Sequence, residues 1–302
     1  MAKYYVACNK DNTFTFGENM SILHARPDAP ATGPRTQPTL HVRETHMLLA
    51  IDMGNTQTVL GLFDGERLVH SWRMPTDRTF TKDELHIRLL GYFAKDGLDL
   101  ACVDALAFAG VVPQLVREWE AVAEALGAHM TVVGPATADV TRVRAANPSE
   151  VGADRIANAT AAAARYGSPS IVVDFGTATN IDVVDEDGYY IGGAIAPGIR
   201  ISLDALTMRA AKLASISLEA PAHAIGRNTV EAVQSGAVVG AAAMAEGLVA
   251  RIKAELGAPD ACVIATGGLA RVVACATDAF DHVDPQLTIR GICEIHRRMQ
   301  ER

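Results

Sequence analysis

Short apolar runs alternate with longer segments whose apolar positions recur at helical spacing, from residue 47 almost to the end of the chain. This alternation of strands and helices predicts an open α/β fold. We predict strands at 47–51, 58–63, 67–73, 104–110, 131–133, 171–174, 179–184, 189–195 and 262–266. We predict helices at 82–96, 113–126, 150–166, 201–211, 228–256 and 268–276.

The segment before residue 47 shows neither the helical nor the strand pattern of apolar residues. Prolines interrupt its polar sequence at Pro27, Pro30, Pro34 and Pro38. It also lacks the apolar stretch of a secretory signal, so we interpret residues 1–46 as a disordered leader or an over-extended start, with a regulatory arm as the alternative. Met47, where the first sustained strand begins, is a second candidate start.

Two stretches of the chain repeat one pattern of strand, loop and hairpin. They are LLAIDMGNTQTVLGLFDGERLVHSWR from residue 48 and SIVVDFGTATNIDVVDEDGYYIGGAI from residue 170. In each, an apolar strand reaches an aspartate, Asp52 or Asp174, and a glycine follows two residues later. Each unit then has an Asp-Gly pair between apolar runs, which is a strong hairpin signal. The repetition predicts an internal duplication.

The loops after Asp52 and Asp174 have the composition of a phosphate site. Glycine lets the backbone N–H groups approach a triphosphate, and Thr or Asn side chains add donors. An aspartate repels phosphate but can hold the Mg²⁺ that neutralises it, so Asp52 is a candidate Mg²⁺ ligand. Taken singly, either aspartate is equally well a capping or turn residue. Two such loops facing each other favour a clamp on ATP, and the strand ending in ATGG (265–268) can admit the base or ribose.

Composition excludes several other classes of protein. The 302 residues include 35 acidic and 27 basic side chains, a net charge of −8 that argues against a nucleic-acid surface. The 5 cysteines form no C-x-x-C pair, which is typical of reduced thiols in a cytoplasmic protein. No apolar run approaches the roughly 18 to 20 residues of a membrane span. There is also no P-loop and no dinucleotide fingerprint.

Taken together, six motifs resemble those of type III pantothenate kinases, over residues 47 to 292. They are DMGNT (52–56), NPSEVGADR (147–155), DFGTAT (174–179), GGAIAPGI (192–199), IGRNTVEAVQSG (225–236) and ATGGLA (265–270). The resemblance implies duplicated ribonuclease-H-like, actin-like domains, each a mixed sheet flanked by helices, with ATP in the cleft between them. We place these domains at residues 47–160 and 161–302.

The resemblance also implies the activity: ATP-dependent phosphorylation of pantothenate to 4′-phosphopantothenate, the first step of coenzyme A synthesis. It implies Mg²⁺, a monovalent cation (K⁺ or NH₄⁺), and a homodimer whose active site takes residues from both subunits. No membrane or nucleic-acid partner is expected.

The same resemblance implies roles for individual residues. The ATP phosphate segment is Asp52, Met53, Gly54, Asn55, Thr56, Gln57, Thr58 and Val59, with Thr177 as a further ATP contact. The pantothenate-contacting residues are Gly152, Ala153, Asp154, Arg155 and Thr229. Asp154 matches the proton acceptor, and Asp174 matches the ligand of the monovalent cation. The chain departs from the family at Ala145, where an aromatic residue is frequent, and at Asn180, where Thr is common.

Asp154 falls near the start of the predicted helix 150–166, where the positive end of the helix dipole favours its ionised form. Phosphoryl transfer needs only a modest base, because its catalysis is mostly positioning and charge stabilisation. For Asp154 and Arg155 the alternative is an ion pair at the surface of a helix start. For the protein, the alternatives are a non-catalytic regulator that keeps the nucleotide fold, and an actin-like ATPase or a kinase for another small acid or sugar.

Overall fold

The computed structural model describes residues 47–302, apart from 111, 135–136 and 210–215. The predicted leader, residues 1–46, lies outside the described residues. The described residues form two five-stranded sheets. The strands of the first are β1 (Met47–Met53), β2 (Gln57–Asp64), β3 (Arg67–Pro75), β4 (Val103–Gly110) and β5 (His129–Val132). Those of the second are β6 (Ser170–Phe175), β7 (Ala178–Val184), β8 (Tyr190–Pro197), β9 (Cys262–Thr266) and β10 (His282–Val283).

The two sheets have the same topology. The first runs β3-β2-β1-β4-β5 and the second, read from its other edge, β8-β7-β6-β9-β10. In each, the first strand pairs antiparallel with the next strand of the chain and parallel with the fourth. The duplication expected from the sequence is therefore confirmed, together with the class of two mixed sheets flanked by helices.

Helices cover both sheets. They are α1 (Lys82–Lys95), α2 (Pro113–Leu126), α3 (Ala138–Thr141), α4 (Ala153–Tyr166), α5 (Ile199–Arg209), α6 (Thr229–Gln234), α7 (Gly240–Leu256), α8 (Ala270–Ala274) and α9 (Leu287–Gln300). Short 3₁₀ turns occupy Leu100–Cys102 and Pro148–Glu150. A full capping box starts α1, where Thr81 and Glu84 bind each other's backbone N–H groups.

Helices α4 and α9 form the layer between the two sheets. Ile156 and Ala157 of α4 and Ile292 of α9 pack on the first sheet. Further along the same helices, Ala161 and Leu287 pack against Val172 and Ile264 of the second sheet. The opposite face of the first sheet packs on α1 and α2, and that of the second on α7 and α8. Residues of α4 and α9 can therefore reach groups on both sheets.

Most predicted elements are present, with small shifts of their ends. Helix α9 is absent from the helices predicted by sequence, and the predicted end of 201–211 falls partly outside the described residues. The predicted boundary between residues 160 and 161 lies inside α4. That division into domains stays a prediction.

The long predicted helix 228–256 is α6, a π-helical turn at Ser235–Val239, and α7 in succession. The small residues along this segment, among them Gly236 and Gly240, are compatible with an ordinary buried helix or with a subunit interface; only 22% of its apolar window is buried, which argues against the first. By length and composition, Thr229–Leu256 could also span a membrane, so the expectation that no run approaches that length does not hold here.

Candidate active site

The aspartates of the two repeats end the central strand of each sheet. Asp52 lies in β1 and Asp174 in β6, each followed by a tight turn that contains a glycine. The N–H of Gly54 donates to the carbonyl of Gln57 at 3.0 Å, and that of Gly176 to the carbonyl of Ala178 at 3.0 Å. A hydrogen bond from its own glycine therefore closes each loop, to the third residue onward in the first loop and to the second in the other.

The two loops meet in the cleft. The hydroxyl oxygens of Thr56 and Thr177 lie 3.1 Å apart although 121 positions separate these residues. Both side chains are exposed. Their hydroxyls are therefore available to a ligand that enters between the sheets.

The rest of the predicted ATP segment divides by exposure. Asn55 and Gln57 are exposed beside Thr56, whereas Met53 and Thr58 are buried. The Thr58 hydroxyl lies 2.8 Å from the Thr76 hydroxyl, so a hydrogen bond inside the protein already occupies it. Met53 and Thr58 therefore shape the turn rather than present side chains to ATP, and half-buried Val59 packs on the core.

Asp174 is held by a chain of hydrogen bonds from the layer between the sheets. Nδ2 of Asn158 on α4 donates to its Oδ2 at 3.1 Å, and the hydroxyl of Thr288 on α9 donates to Oδ1 of Asn158 at 2.8 Å. Gly267 closes the other side with a left-handed φ of +90°, and a Cβ there would lie 2.4 Å from Oδ1 of Asp174. Only glycine allows this close approach.

The carboxylates of the site repel one another. Burial, followed by the charges of Asp154 and Asp174, raises the pKa of Asp52 to about 8, although the Arg73 guanidinium opposes the rise. Burial also raises the pKa of Asp174 to about 6, with the Asp154 charge as a further cause and the Asn158 hydrogen bond opposing. The three carboxylates are thus close enough to interact, and a bound cation would relieve their repulsion.

Asp154 and Arg155 start helix α4, with Gly152 as the N-cap and Ala153 buried in the core. The backbone N–H of Arg155 donates to Oδ1 of Asp154 at 2.9 Å. The side chain of Arg155 turns away, and its Nε donates to Oδ1 of Asp182 at 2.6 Å. The alternative of a surface ion pair between Asp154 and Arg155 is therefore wrong.

Thr229 stands apart from this group. It is the exposed first residue of α6, and within the described part of the chain no hydrogen bond joins it to the aspartate cluster. To contact pantothenate as predicted, Thr229 would have to approach the aspartate cluster in some way other than within this arrangement of one chain.

Sequence reasoning missed three residues near the cluster: Arg73, Asn158 and Asp182. Asn158 follows Asp154 by one helical turn, a spacing that puts both on one face and could have revealed it. Asp182 is a charged residue inside the apolar run of β7, which is a signal in itself. No local pattern marks Arg73, whose Nη1 would lie 3.6 Å from a Cβ on Gly268 of the second sheet.

No preformed metal centre is present among the residues described. In that part of the chain, no three His, Cys, Asp or Glu side chains stand close enough to hold an ion alone. Mg²⁺ in kinases is usually bound by one or two carboxylates together with the phosphates of the nucleotide. A single carboxylate such as Asp52 fits that mode of binding.

The duplicated fold, the paired loops in the cleft and the converging carboxylates define an actin-like phosphotransferase. The sequence matches the family model "Type III pantothenate kinase" over residues 48–251, more than half of the chain. Curated type III pantothenate kinases of Exiguobacterium and Thermomicrobium roseum are 44% and 47% identical to it. Each match covers 84% of this chain and 100% or 98% of the relative. The chain belongs to the type III pantothenate kinase family, whose members phosphorylate pantothenate in coenzyme A synthesis.

More distant solved structures share only the fold. The ethanolamine utilization protein EutJ from Carboxydothermus hydrogenoformans is 17% identical, with a TM-score of 0.50 over 82% of this chain and 89% of its own. Component A of the (R)-2-hydroxyglutaryl-CoA dehydratase of Acidaminococcus fermentans is 14% identical, with a TM-score of 0.50 over 83% and 96%. They support the duplicated architecture and nothing about the substrate.

Proposed function

We propose that the chain transfers the γ-phosphate of ATP to the primary hydroxyl of pantothenate with Asp154 as the proton acceptor. The hydroxyl oxygen forms the new bond to phosphorus, the bond from phosphorus to ADP breaks, and the hydroxyl proton passes to a carboxylate oxygen of Asp154. The observation that carries this proposal is the convergence of Asp52, Asp154 and Asp174 beside two touching loops. Asp154 lies in the first turn of α4, the helix that also carries Asn158 to Asp174.

The loops would hold the triphosphate. The exposed hydroxyls of Thr56 and Thr177 and the amides of Asn55 and Gln57 supply donors from both sides of the cleft. Hydrogen bonds from two rigid sheets restrict the γ-phosphate to one orientation, which is the main source of rate in this class of reaction.

Two cations belong to the proposal. Asp52 would hold Mg²⁺ with the phosphates, and Asp174 the monovalent K⁺ or NH₄⁺. The ions would supply the positive charge that the triphosphate and the carboxylates lack. The raised pKa values of both aspartates support these roles, since binding a cation restores the ionised form that burial disfavours.

We also propose that the chain acts as a homodimer in the cytoplasm, with neither a membrane nor a nucleic acid as partner. Large apolar side chains are exposed around α5 and α6: Ile195, Ile201, Leu206, Met208, Ile225 and Val230. Met208 and Ile225 are 86% and 83% exposed, and the largely exposed helix 229–256 continues this surface. A second copy would cover it, and Thr229, on the same surface, would reach the partner's pantothenate site. Met208→Glu should give a monomer in light scattering, whereas an unchanged dimer would contradict this surface.

The test of the activity is ADP release measured with and without pantothenate and with and without K⁺. We expect ADP only when pantothenate is present, a strong increase with K⁺, and a product heavier by one phosphate on the alcohol. ADP release that is indifferent to pantothenate would favour an ATPase, and no release at all would favour a regulator.

A further inference from the structure

Asp182 is a buried carboxylate that no sequence motif assigns to the site. It lies in the middle of β7 between Ile181 and Val183, and its side chain is fully buried. Oδ1 accepts the hydrogen bond from Arg155, and Oδ2 has no hydrogen-bond partner among the described residues. Burying a carboxylate in an apolar strand is costly unless it is paired, so its one partner indicates its role.

Arg155 is fixed at several points. Its Nε donates to Asp182 at 2.6 Å, its Nη2 donates to the carbonyl of Ile181 at 3.4 Å, and its guanidinium carbon lies 5.5 Å from the ring centre of Tyr190. Gly193 leaves the space that this arrangement needs, because a Cβ there would lie 1.7 Å from the carbonyl oxygen of Ile181 and 3.2 Å from Nη2 of Arg155. These contacts set both the position and the plane of the guanidinium.

The fixed guanidinium still has N–H groups that could donate to a ligand. Within the described residues, Nη1 of Arg155 makes no hydrogen bond, and the side chain is 14% exposed. A guanidinium binds a carboxylate best as a planar fork, so its orientation decides how well it binds. Burial, with the charges of Asp174 and Asp154 as further causes, raises the pKa of Asp182 to about 7, so the guanidinium that Asp182 binds lies in the same part of the site as the proposed proton acceptor.

We propose that Asp182 is a positioning residue that holds the Arg155 guanidinium towards the carboxylate of pantothenate. The site thereby selects an acceptor that carries a carboxylate at a set distance from its primary hydroxyl. The inference rests on the proposed role of Arg155 in binding pantothenate.

A second reading of the same contact predicts the opposite effect. If Asp182 served only to neutralise Arg155, its removal would leave a stronger positive charge and bind the anionic substrate more tightly. If it positions Arg155, its removal releases the guanidinium and weakens binding. The sign of the change in KM for pantothenate therefore separates the two.

The experiment measures kcat and the KM values for pantothenate and ATP in Asp182→Ala and Asp182→Asn. We expect Asp182→Ala to raise the KM for pantothenate about tenfold or more, with the KM for ATP within about twofold. Asp182→Asn keeps a neutral acceptor at the same place, so its increase should be about threefold. Asp185→Ala is the matched control: it removes a nearby carboxylate that pairs with Arg144 at 3.0 Å, and should leave both KM values unchanged.

Arg155→Ala and the double variant with Asp182→Ala complete the design. If Asp182 acts through Arg155, its removal should add nothing once Arg155 is absent. A pantothenate KM that is unchanged or lower in both Asp182 variants overturns the inference, as does an equal rise in the ATP KM. If Asp182→Ala fails to fold, the sign for Asp182→Asn still decides. An unchanged KM in Arg155→Ala would instead refute the proposed role of Arg155.

Discussion

The two sheets and their helices, the two halves of the molecule, repeat one strand order. The corresponding aspartates of the two halves differ in their hydrogen bonds. Asp174 accepts a hydrogen bond from Asn158, which Thr288 holds in turn. The side chain of Asp52, at the matching place in the first sheet, makes no hydrogen bond within the described residues. The pKa of Asp174 is raised to about 6 and that of Asp52 to about 8.

Two causes add to burial: the charges of both Asp154 and Asp174 raise the pKa of Asp52, whereas only that of Asp154 raises the pKa of Asp174, and the helix layer between the sheets gives Asp174 a donor. Helix α4 carries Asn158 to Asp174, and α9 supports it with Thr288, whereas Asp52 is offered no such donor. A carboxylate with its own donor is ready before any ligand arrives. One without a donor would depend on the cation and phosphates proposed above for its compensation. The duplicated motif therefore supplies one fixed and one ligand-dependent carboxylate.

The largest expected effect comes from the residue that acts on both halves. Asp154→Asn removes the proposed base and the charge that raises the pKa of Asp52 and Asp174. We expect kcat to fall about 10²-fold or more while ATP still binds. Steady-state ADP release and calorimetric titration with ATP measure the two quantities.

The control for Asp154→Asn is Glu150→Gln. It neutralises an exposed carboxylate on the turn just before α4 and should keep wild-type turnover. If Asp154→Asn is nearly as active as the control, Asp154 is not the proton acceptor.

The next largest effect is expected from a substitution that displaces the carboxylate of Asp174. Gly267→Ala would put a Cβ 2.4 Å from Oδ1 of Asp174 and 2.7 Å from the backbone of Phe175. Displacement of Asp174 should lower kcat/KM for ATP about 30-fold, measured at saturating K⁺.

Gly257→Ala is the matched control for Gly267→Ala. Its φ of +65° imposes the same kind of backbone strain, about 1 kcal/mol, but no atom lies within 4 Å of the added Cβ. Activity should stay at the wild-type level. Equal activity of the two alanine variants would show that the approach of Gly267 to Asp174 does not matter.

The sequence was sufficient to predict the duplication because the strand, turn and hairpin signals are local and occur twice. It was sufficient to predict the two loops for the same reason. The partners of Asp174 and Arg155 were not predicted, because Asn158 and Asp182 reach them only after α4 has packed between the sheets. Thr288 was beyond prediction too, since it lies on α9, a helix absent from the sequence-based set.

A smaller effect, on the KM for ATP, is expected at the contact between the two loops. Thr56→Val and Thr177→Val each remove one of two hydroxyls that lie 3.1 Å apart while keeping the side-chain shape. Each should raise the KM for ATP about fivefold, because a phosphate donor is lost. Thr56→Ser and Thr177→Ser keep the hydroxyl and should restore most of the affinity. If the valine variants match the serine variants, these hydroxyls do not bind the nucleotide.

The smallest expected effect is on thermal stability. Its pH dependence should differ between Asp52 and Asp174, because their pKa values are raised to different extents. A carboxyl whose pKa is raised in the folded state contributes stability that is lost as pH rises through that folded value. The ordinary value is 3.8, so this loss extends to about pH 8 for Asp52 and about pH 6 for Asp174. Asparagine cannot ionise, so each variant should gain in Tm relative to the wild type over its own window.

Thermal unfolding in EDTA without nucleotide, from pH 5 to pH 8, measures these gains. For Asp174→Asn the gain should level off near pH 6. For Asp52→Asn it should continue to about pH 8 and reach a value on the order of 5 °C. Asp64→Asn, which removes a surface carboxylate paired with Arg67 outside the site, is the control variant. Identical curves for Asp52→Asn and Asp174→Asn would mean that the hydrogen bond from Asn158 does not distinguish the halves.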